Sequence, residues 1–213
     1  AGVEVTFAVA SGGGTVDPVE AVTTDANGVA AVTSWTLGTT AGSNTLTASA
    51  TGLTDVTFTA TGTAGSASQL VVATAPVAGA NGAALGTQPV IEIRDAQGNV
   101  VTTDNATQVA VSIGGGSGGT LGGTQTVTAA NGVVTFSDLT LTGLTSETYT
   151  LSFVDTGAAF TAVTSDVSLS GAGPASQMAV NAGDNQTASV GTAVSTAPSV
   201  LVQDANGNAV AGV

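Results

Sequence analysis

The sequence predicts an all-β fold of tandem antiparallel β-sandwiches, and three of its features indicate this. Apolar residues alternate with polar residues at every second position, as in Val3, Val5 and Phe7. Turn-forming clusters of Gly, Asn and Asp recur about every 8–12 residues, which is the spacing of short strands in a sandwich. The chain of 213 residues also repeats itself, and its length suits one or two domains of about 100–150 residues.

The composition excludes several classes of function. Only 7% of the residues are charged, Arg94 is the single basic residue, His and Cys are absent, and the net charge is −13. Such a chain cannot present a basic surface to nucleic acid, bind zinc through Cys and His, or use Cys or His in catalysis. The 14 acidic residues are spread mainly over turns, so we expect no enzyme activity and no cofactor. No run of about 18 apolar residues occurs, so we expect no membrane-spanning segment.

Internal repetition is the strongest signal in the sequence. Segments from different parts of the chain recur at offsets of 104 to 109 residues. The matching pairs are 67–72 with 175–180, 89–99 with 198–208, 27–29 with 131–133, and 45–47 with 150–152. Two units of about 105–109 residues therefore account for the whole chain.

The chain does not begin where a repeat begins. Residues 66–173 match one whole unit, residues 1–64 match only its later part, and residues 174–213 match only its earlier part. The final Ala-Gly-Val (residues 211–213) also repeats the initial Ala-Gly-Val (residues 1–3). We therefore predict a complete sandwich over 66–173. Residues 1–64 would supply the later strands of a domain whose first strands come from a neighbouring copy, and residues 174–213 would supply the first strands of the next domain.

Both repeats contain the same one-residue slip in their alternation. The residues expected to point inward are Ala30, Val32, Trp35 and Leu37 in the first repeat, and Val134, Phe136, Leu139 and Leu141 in the second. A slip of one residue turns a strand over, so the strand must bulge there or cross to the other sheet. We also expect Trp35, Tyr149 and the five Phe residues to lie in the core.

Five segments together resemble a known family. They are the Asp-x-x-Gly-Asn turns at Asp95–Asn99 and Asp204–Asn208, the alternating strand Val3–Phe7, the segment Thr24–Ala30, and the segment Gly42–Ala48. In order and spacing they resemble the bacterial immunoglobulin-like repeat domains of the intimin and invasin type, which occur in tandem in surface adhesins and fibres. The resemblance implies immunoglobulin-like β-sandwiches in an extracellular or cell-surface protein, used as a stalk, a spacer or an adhesin module.

Three short motifs are candidates for chemistry. The Asp155-Thr156-Gly157 triplet resembles the catalytic loop of aspartic proteases, but that chemistry needs two carboxylates and the counterpart segment at 50–52 has none, so we expect a strand end running into a turn. The Asp-Ala-Gln-Gly-Asn and Asp-Ala-Asn-Gly-Asn segments predict either hairpin turns or weak calcium sites. The glycine runs at 114–116 and 118–119 are predicted to be hairpin tips, because the Lys and helix of a phosphate loop are missing.

Two triplets fit the N-glycosylation pattern. They are Asn105-Ala106-Thr107 and Asn185-Gln186-Thr187, and both fall in predicted loops. Such triplets also arise by chance in a chain rich in Asn and Thr. A surface glycan at Asn105 or Asn185, like weak calcium binding, therefore stays open as a partner.

Together these observations favour a structural extracellular repeat protein over an enzyme. We expect immunoglobulin-like domains linked head to tail into a linear fibre, stalk or filament, with copies of the chain itself as partners. The linkage could be a tandem array in a longer polypeptide or strand donation between separate copies. The alternative is a cell-surface adhesin domain that binds a host or neighbouring-cell ligand through loops at the sandwich ends.

Overall fold

The computed structural model describes residues 2–212, and every regular element in that part of the chain is a β-strand. The first six strands are β1 (Glu4–Ser11), β2 (Gly14–Asp17), β3 (Val22–Thr23), β4 (Ser34–Leu37), β5 (Gly42–Ser49) and β6 (Val56–Gly62). The next five are β7 (Gln69–Thr74), β8 (Val90–Arg94), β9 (Gln108–Gly115), β10 (Thr120–Gly122) and β11 (Thr126–Thr128). The last six are β12 (Val133–Thr135), β13 (Thr140–Thr142), β14 (Thr148–Asp155), β15 (Val163–Ser168), β16 (Gln177–Ala182) and β17 (Ser199–Gln203). All strand pairings between these elements are antiparallel, so the predicted fold class is confirmed.

The described residues form two compact units. The first contains residues 2–69 and 94–103, and the second contains residues 70–93 and 104–212. The division into 1–64, 66–173 and 174–213 follows the sequence repeat and stays a prediction. The matching triplets at the two ends include Ala1 and Val213, which lie outside the described residues. Within residues 2–212 there is no helical segment with the length and apolarity of a membrane span.

The second unit contains a closed sandwich. One layer is the four-stranded sheet β11-β9-β14-β15, and the other is formed by the sheet β12-β8-β7 and the pair β10-β13. The inner faces meet at Phe136 and Phe153, whose ring centroids lie 5.8 Å apart. Both layers contribute buried apolar side chains, namely Ile91, Ile93, Val109, Val111, Val134, Leu139, Leu141, Tyr149, Leu151 and Val167. These inward residues alternate with more exposed ones along each strand, as in other face-to-face sheet packings.

The one-residue slip marks a change of strand partner. Val134 in β12 lies opposite Ile91 of β8, whereas Leu141 in β13 lies opposite Leu121 of β10. Val134, Leu141 and the intervening Leu139 are nevertheless all fully buried. The slip therefore keeps these side chains in the core while the chain changes its partner from β8 to β10, within one layer of the sandwich rather than by crossing to the opposite layer.

The glycine runs 114–116 and 118–119 are not the hairpin tips that the sequence predicts. Gly114 and Gly115 lie within β9, and residues 116–119 join β9 to β10, which belongs to a different sheet. A Cβ atom at Gly119 would lie 2.4 Å from the ring atom Cε1 of Tyr149. Glycine is required there because the buried tyrosine ring packs directly on the backbone of the crossing.

The first unit is less completely covered. The sheet β3-β1-β5-β6 and the pair β2-β4 contribute a small core of Phe7, Val16 and Leu46. Phe58, which the sequence places in the core, is 45% exposed and lies 6.4 Å from Phe7 between ring centroids. Residues 29–31, the counterpart of β12, form no strand in the described structure. One face of this partial sandwich is therefore open.

Residues 174–212 form a two-stranded sheet of β16 and β17. Its apolar side chains Met178, Val180, Val200 and Leu201 are all exposed. The matching strands of the closed sandwich, β7 and β8, bury Leu70 and Ile91 in their core. In the described residues, β16 and β17 therefore repeat the strand pairing of β7 and β8, with their apolar side chains exposed.

Candidate functional site

The two copies of the Asp-x-x-Gly-Asn motif form matching polar sites. We call them the latch turns: the first is Asp95–Asn99 and the second is Asp204–Asn208. Each follows directly after a strand, β8 or β17. In each, Gly takes a positive φ of 87° or 86°, and the Asp side chain accepts the backbone N–H groups two and four residues later. The motif therefore folds as a turn that its own aspartate stabilises.

The carboxylate of Asp95 organises the first latch turn. Its Oδ1 accepts the backbone N–H groups of Gln97 at 3.0 Å and Asn99 at 2.8 Å. Its Oδ2 accepts the backbone N–H of Gly65 at 2.8 Å and the Asn99 Nδ2–H at 2.9 Å. The buried carboxylate is thus bound by four N–H donors, and it attaches the turn to the segment between the repeats.

Asn99 connects the first latch turn to a distant loop of the same compact unit. Its Nδ2 donates to the carbonyl oxygen of Thr39 at 2.8 Å, and its Oδ1 accepts the backbone N–H of Ala41 at 2.8 Å. The side-chain amide therefore pairs with the backbone in the way that a neighbouring strand would. Thr39 and Ala41 belong to the segment 1–64, whereas Asn99 belongs to the repeat 66–173.

The second latch turn repeats these contacts within the second unit. Asp204 Oδ2 accepts the backbone N–H of Gly173 at 2.9 Å and the Asn208 Nδ2–H at 2.9 Å. Asn208 Nδ2 donates to the carbonyl oxygen of Gly143 at 2.8 Å, and Asn208 Oδ1 accepts the backbone N–H of Thr145 at 2.8 Å. Gly143 and Thr145 lie 104 residues after Thr39 and Ala41, so both latch turns bind corresponding loops.

The repeated Ala-Ser-Gln segments add a further pair of matching contacts. Gln69 Nε2 donates to the carbonyl oxygen of Asp95 at 2.9 Å, and Gln177 Nε2 donates to that of Asp204 at 2.8 Å. Each glutamine begins the strand, β7 or β16, that pairs with the strand leading into its latch turn. In both repeats the Ala-Ser-Gln segment therefore stabilises the latch turn by a hydrogen bond to its backbone.

Asn81 is part of the second latch and was not identified from the sequence. Its Nδ2 donates to Asp204 Oδ2 at 2.7 Å and to Asn206 Oδ1 at 2.9 Å, and its Oδ1 accepts the backbone N–H of Gly143 at 2.8 Å. The repeat gives no signal for this residue, because Val190 occupies the corresponding position.

A third aspartate turn shows that the latch is not a general property of such turns. Asp25 Oδ1 accepts the backbone N–H groups of Asn27 and Val29 at 2.9 and 2.8 Å, as in the latch turns. Within the described residues, the side-chain amide of Asn27 donates only to the carboxylate of Asp25, at 3.4 Å. In this turn Val29 occupies the position after Gly where the latch motif has Asn. The Asn at that position is therefore the residue that makes the distant contact.

Hydrogen bonding keeps both latch aspartates ionised to low pH. The side-chain amide of Asn99 is the main cause that lowers the pKa of Asp95 to about 2, with backbone N–H groups acting in the same direction against desolvation. Burial acts to raise the pKa of Asp204, but the hydrogen bonds from Asn208, Asn81 and the backbone outweigh it and lower that pKa. The charged carboxylate is therefore the form that the latch turns hold at neutral pH.

The oxygens of Asp95 and Asp204 are occupied by N–H donors rather than arranged around an open position. Calcium sites in proteins collect six to eight oxygen ligands. No group of three or more Asp, Glu, His or Cys side chains that could hold a metal occurs within residues 2–212. The geometry of the latch turns is that of the predicted hairpin turns, and calcium binding stays an untested expectation.

Asp155 ends β14 and begins a turn. Its Oδ1 accepts the backbone N–H of Gly157 at 2.9 Å, and its Oδ2 accepts that of Ala159 at 2.8 Å. The carboxylate is buried in this role. The Asp-Thr-Gly triplet is therefore the strand end that the sequence analysis favours.

The two predicted glycosylation residues lie on exposed loops. Asn105 precedes β9, and its Oδ1 accepts the backbone N–H of Asn131 at 2.9 Å. Asn185 lies between β16 and β17 with a φ of 54°, and its Nδ2 donates to Asp184 at 2.9 Å.

No protein-family model and no curated protein sequence matches the chain. Among solved structures, it is similar to the Escherichia coli adhesin FdeC, with 22% identity over 100% of this chain and 66% of that chain at a TM-score of 0.45. It is similar to invasin, described as a bacterial integrin-binding protein, with 22% identity over 100% of this chain and 41% of that chain at a TM-score of 0.39.

Some of the solved structures to which the chain is similar are enzymes. β-Glucuronidase 3 of Bacteroides uniformis is 17% identical over 78% of this chain and 21% of that chain, at a TM-score of 0.36. The chain thus spans about a fifth of the β-glucuronidase and less than half of invasin.

Proposed function

We propose that the chain is a structural repeat protein of the cell surface or extracellular space, in which immunoglobulin-like sandwiches are linked head to tail into a linear fibre, stalk or filament. The recurrence of the latch turn carries this proposal. Asn99 and Asn208 make the same two backbone hydrogen bonds to loops that correspond in the repeat. A contact between unlike ends of a unit can be repeated along a line without closing, and a recurring joint is what such an assembly requires.

The chemistry of the latch suits a chain with a large net charge of one sign. At −13 the chain repels copies of itself, and Arg94 is the single basic residue that could form an ion pair across a joint. The latch instead uses side-chain amides on backbone groups, together with carboxylates bound by N–H dipoles. Such contacts are screened by salt much less than exposed ion pairs, so the joint suits surroundings of variable ionic strength.

Labelling of intact cells tests this function. An antibody raised against the chain should label the outside of unpermeabilised source cells, with gold particles at intervals along thread-like or stalk-like structures in electron micrographs. Labelling confined to the distal tips would instead favour the adhesin alternative, in which exposed loops bind a ligand. Labelling that appears only after permeabilisation would contradict both.

The mass of the denatured protein in cell extracts separates the two ways of building the line. A band near the chain mass of 20.0 kDa indicates separate copies, whereas a much larger band indicates a tandem array. The latch turns serve either arrangement, because each one lies within a single chain.

A further inference from the structure

The first unit contains an apolar groove that its own residues leave open. The groove has a volume of about 390 Å³, and its lining includes Phe7, Ala30, Val32, Trp35 and Phe58. Phe58 is 45% exposed. An open apolar groove that leaves an aromatic ring exposed indicates a surface that another segment covers.

The closed sandwich shows what covers the corresponding surface. There, β12 pairs with β8, and Val134 lies opposite Ile91. The segment before β8 also contacts the segment that follows β12, because the Leu85 N–H donates to the carbonyl oxygen of Leu139 at 2.9 Å. Val134 and Leu139 are fully buried as a result. Their counterparts in the first unit are Ala30 and Trp35, which line the open groove.

The strands that would cover the groove have a free counterpart at the other end of the chain. β16 and β17 correspond to β7 and β8, and in the described residues β17 pairs with β16 but with no equivalent of β12. Val200 is 61% exposed where Ile91 is 0% exposed, and Met178 is 72% exposed where Leu70 is 3% exposed. These exposed apolar side chains form a surface, the donor face, that packs against no core in the described residues.

We propose that residues 174–212 of a second copy of this chain fill the groove in residues 2–62 and complete its sandwich. The closed sandwich sets the register: Val200 of the incoming β17 lies opposite Ala30, and Leu201 lies opposite Val29, as Ile91 and Glu92 lie opposite Val134 and Val133. The inference rests on the proposed head-to-tail linkage and names its partner. Because the donor face and the groove are different surfaces of one chain, each addition leaves another groove and another donor face available.

Side-chain sizes at one position support this pairing. In the closed sandwich Gln88 fits beside Leu139, donating from Nε2 to its carbonyl oxygen at 3.0 Å and accepting its N–H at 3.1 Å. In the first unit Trp35 replaces the leucine, and in the donor segment Ala197 replaces the glutamine. The larger ring thus meets the smaller partner, as efficient packing of the completed core requires.

Two variants with the same added charge test the proposal in the full chain. Val200→Glu places a carboxylate on the face that enters the groove. Leu201→Glu places it on the next residue, where the closed sandwich itself carries Glu92. Both positions are exposed, so neither variant should unfold the chain, and circular dichroism checks this.

Sedimentation velocity and tryptophan fluorescence supply the readouts. The wild-type chain and Leu201→Glu should form a series of oligomers that lengthens with concentration, with no limit at the dimer. The emission of Trp35, the single tryptophan of the chain, should shift to shorter wavelength as they form. Val200→Glu should stay at 20.0 kDa with unshifted emission over the same range, a weakening of at least tenfold.

Other outcomes would overturn the proposal. A wild-type chain that stays monomeric at all concentrations, a closed dimer, or equal effects of the two variants would each contradict strand donation into this groove. A monomeric wild-type chain combined with a large band in cell extracts and surface labelling would leave the proposed fibre function in place as a tandem array. The two hypotheses therefore fail separately.

Discussion

Replacing Asn208 with Ala tests whether the latch is held by the contacts described. The side-chain amide donates to the carbonyl oxygen of Gly143 and to the carboxylate of Asp204. It accepts the backbone N–H of Thr145 and, more weakly at 3.3 Å, the hydroxyl of the same residue. Ala keeps the backbone and removes all four hydrogen bonds. Asn208 is buried, so the groups that lose their partner are not freely solvated.

The expected loss follows from the kind of bond removed. A hydrogen bond between neutral groups contributes about 1 kcal/mol and one to a charged group about 1.5–3 kcal/mol, so the latch loses about 3–5 kcal/mol. Each 1.4 kcal/mol is a factor of about ten in an equilibrium constant. The Thr145 amide, which the latch protects, should therefore exchange with solvent at least about 100-fold faster.

Hydrogen exchange followed by NMR measures this effect at single amides, and the repeat provides a matched control. Asn99→Ala should accelerate exchange at Ala41 and leave Thr145 unchanged, whereas Asn208→Ala should do the reverse. Unchanged protection of Thr145 in Asn208→Ala would refute the latch as the source of the contact. Accelerated exchange at both amides in either variant would indicate general loosening instead.

Three further predictions concern single residues. Because the pKa of Asp95 is lowered to about 2 from the ordinary value near 3.9, its contribution to stability is present above about pH 4 and lost as the pH falls toward 2. Acid titration of the unfolding free energy should therefore be less steep in Asp95→Asn, and identical curves would contradict this. Gly119→Ala should cost about 1–3 kcal/mol in urea unfolding, because its Cβ would collide with Tyr149, whereas Gly171→Ala, which meets open space, should change stability by less than about 1 kcal/mol. Phe136→Ala should cost about 3–5 kcal/mol through the cavity it leaves, and a cost below about 1 kcal/mol would show that this core is loosely packed.

The strand pattern and the repeat were predictable because they depend on local chemistry. Alternation of apolar and polar residues indicated the inward faces of β12 and β13, and Val134 and Leu141 are buried as expected. The Asp-x-x-Gly-Asn motif indicated turns, because Asp and Gly act within five residues of chain. Asp155 was interpreted as a strand end for the same reason.

The distant contacts were not predictable from one sequence. Asn99 binds a loop about 60 residues earlier, and it does so through backbone groups that every residue possesses. Asn81 joins the second latch from a position that the repeat does not match. Phe58 was expected in a core, and its exposure depends on which strands cover the first unit. The glycine-rich segment 116–119 was interpreted as a hairpin tip because the local sequence does not say which sheet the next strand joins.

The most direct test of head-to-tail linkage is a disulfide cross-link, which the absence of native Cys makes unambiguous. A chain carrying Ala30→Cys and Val200→Cys should form, on oxidation, a ladder of bands at multiples of 20.0 kDa that reducing agent collapses to one band. The control pair Ala30→Cys and Leu201→Cys, with its thiols on opposite faces of the predicted pairing, should give little cross-linking. A single band at the monomer mass in both chains, or ladders of equal strength, would contradict head-to-tail strand donation between copies.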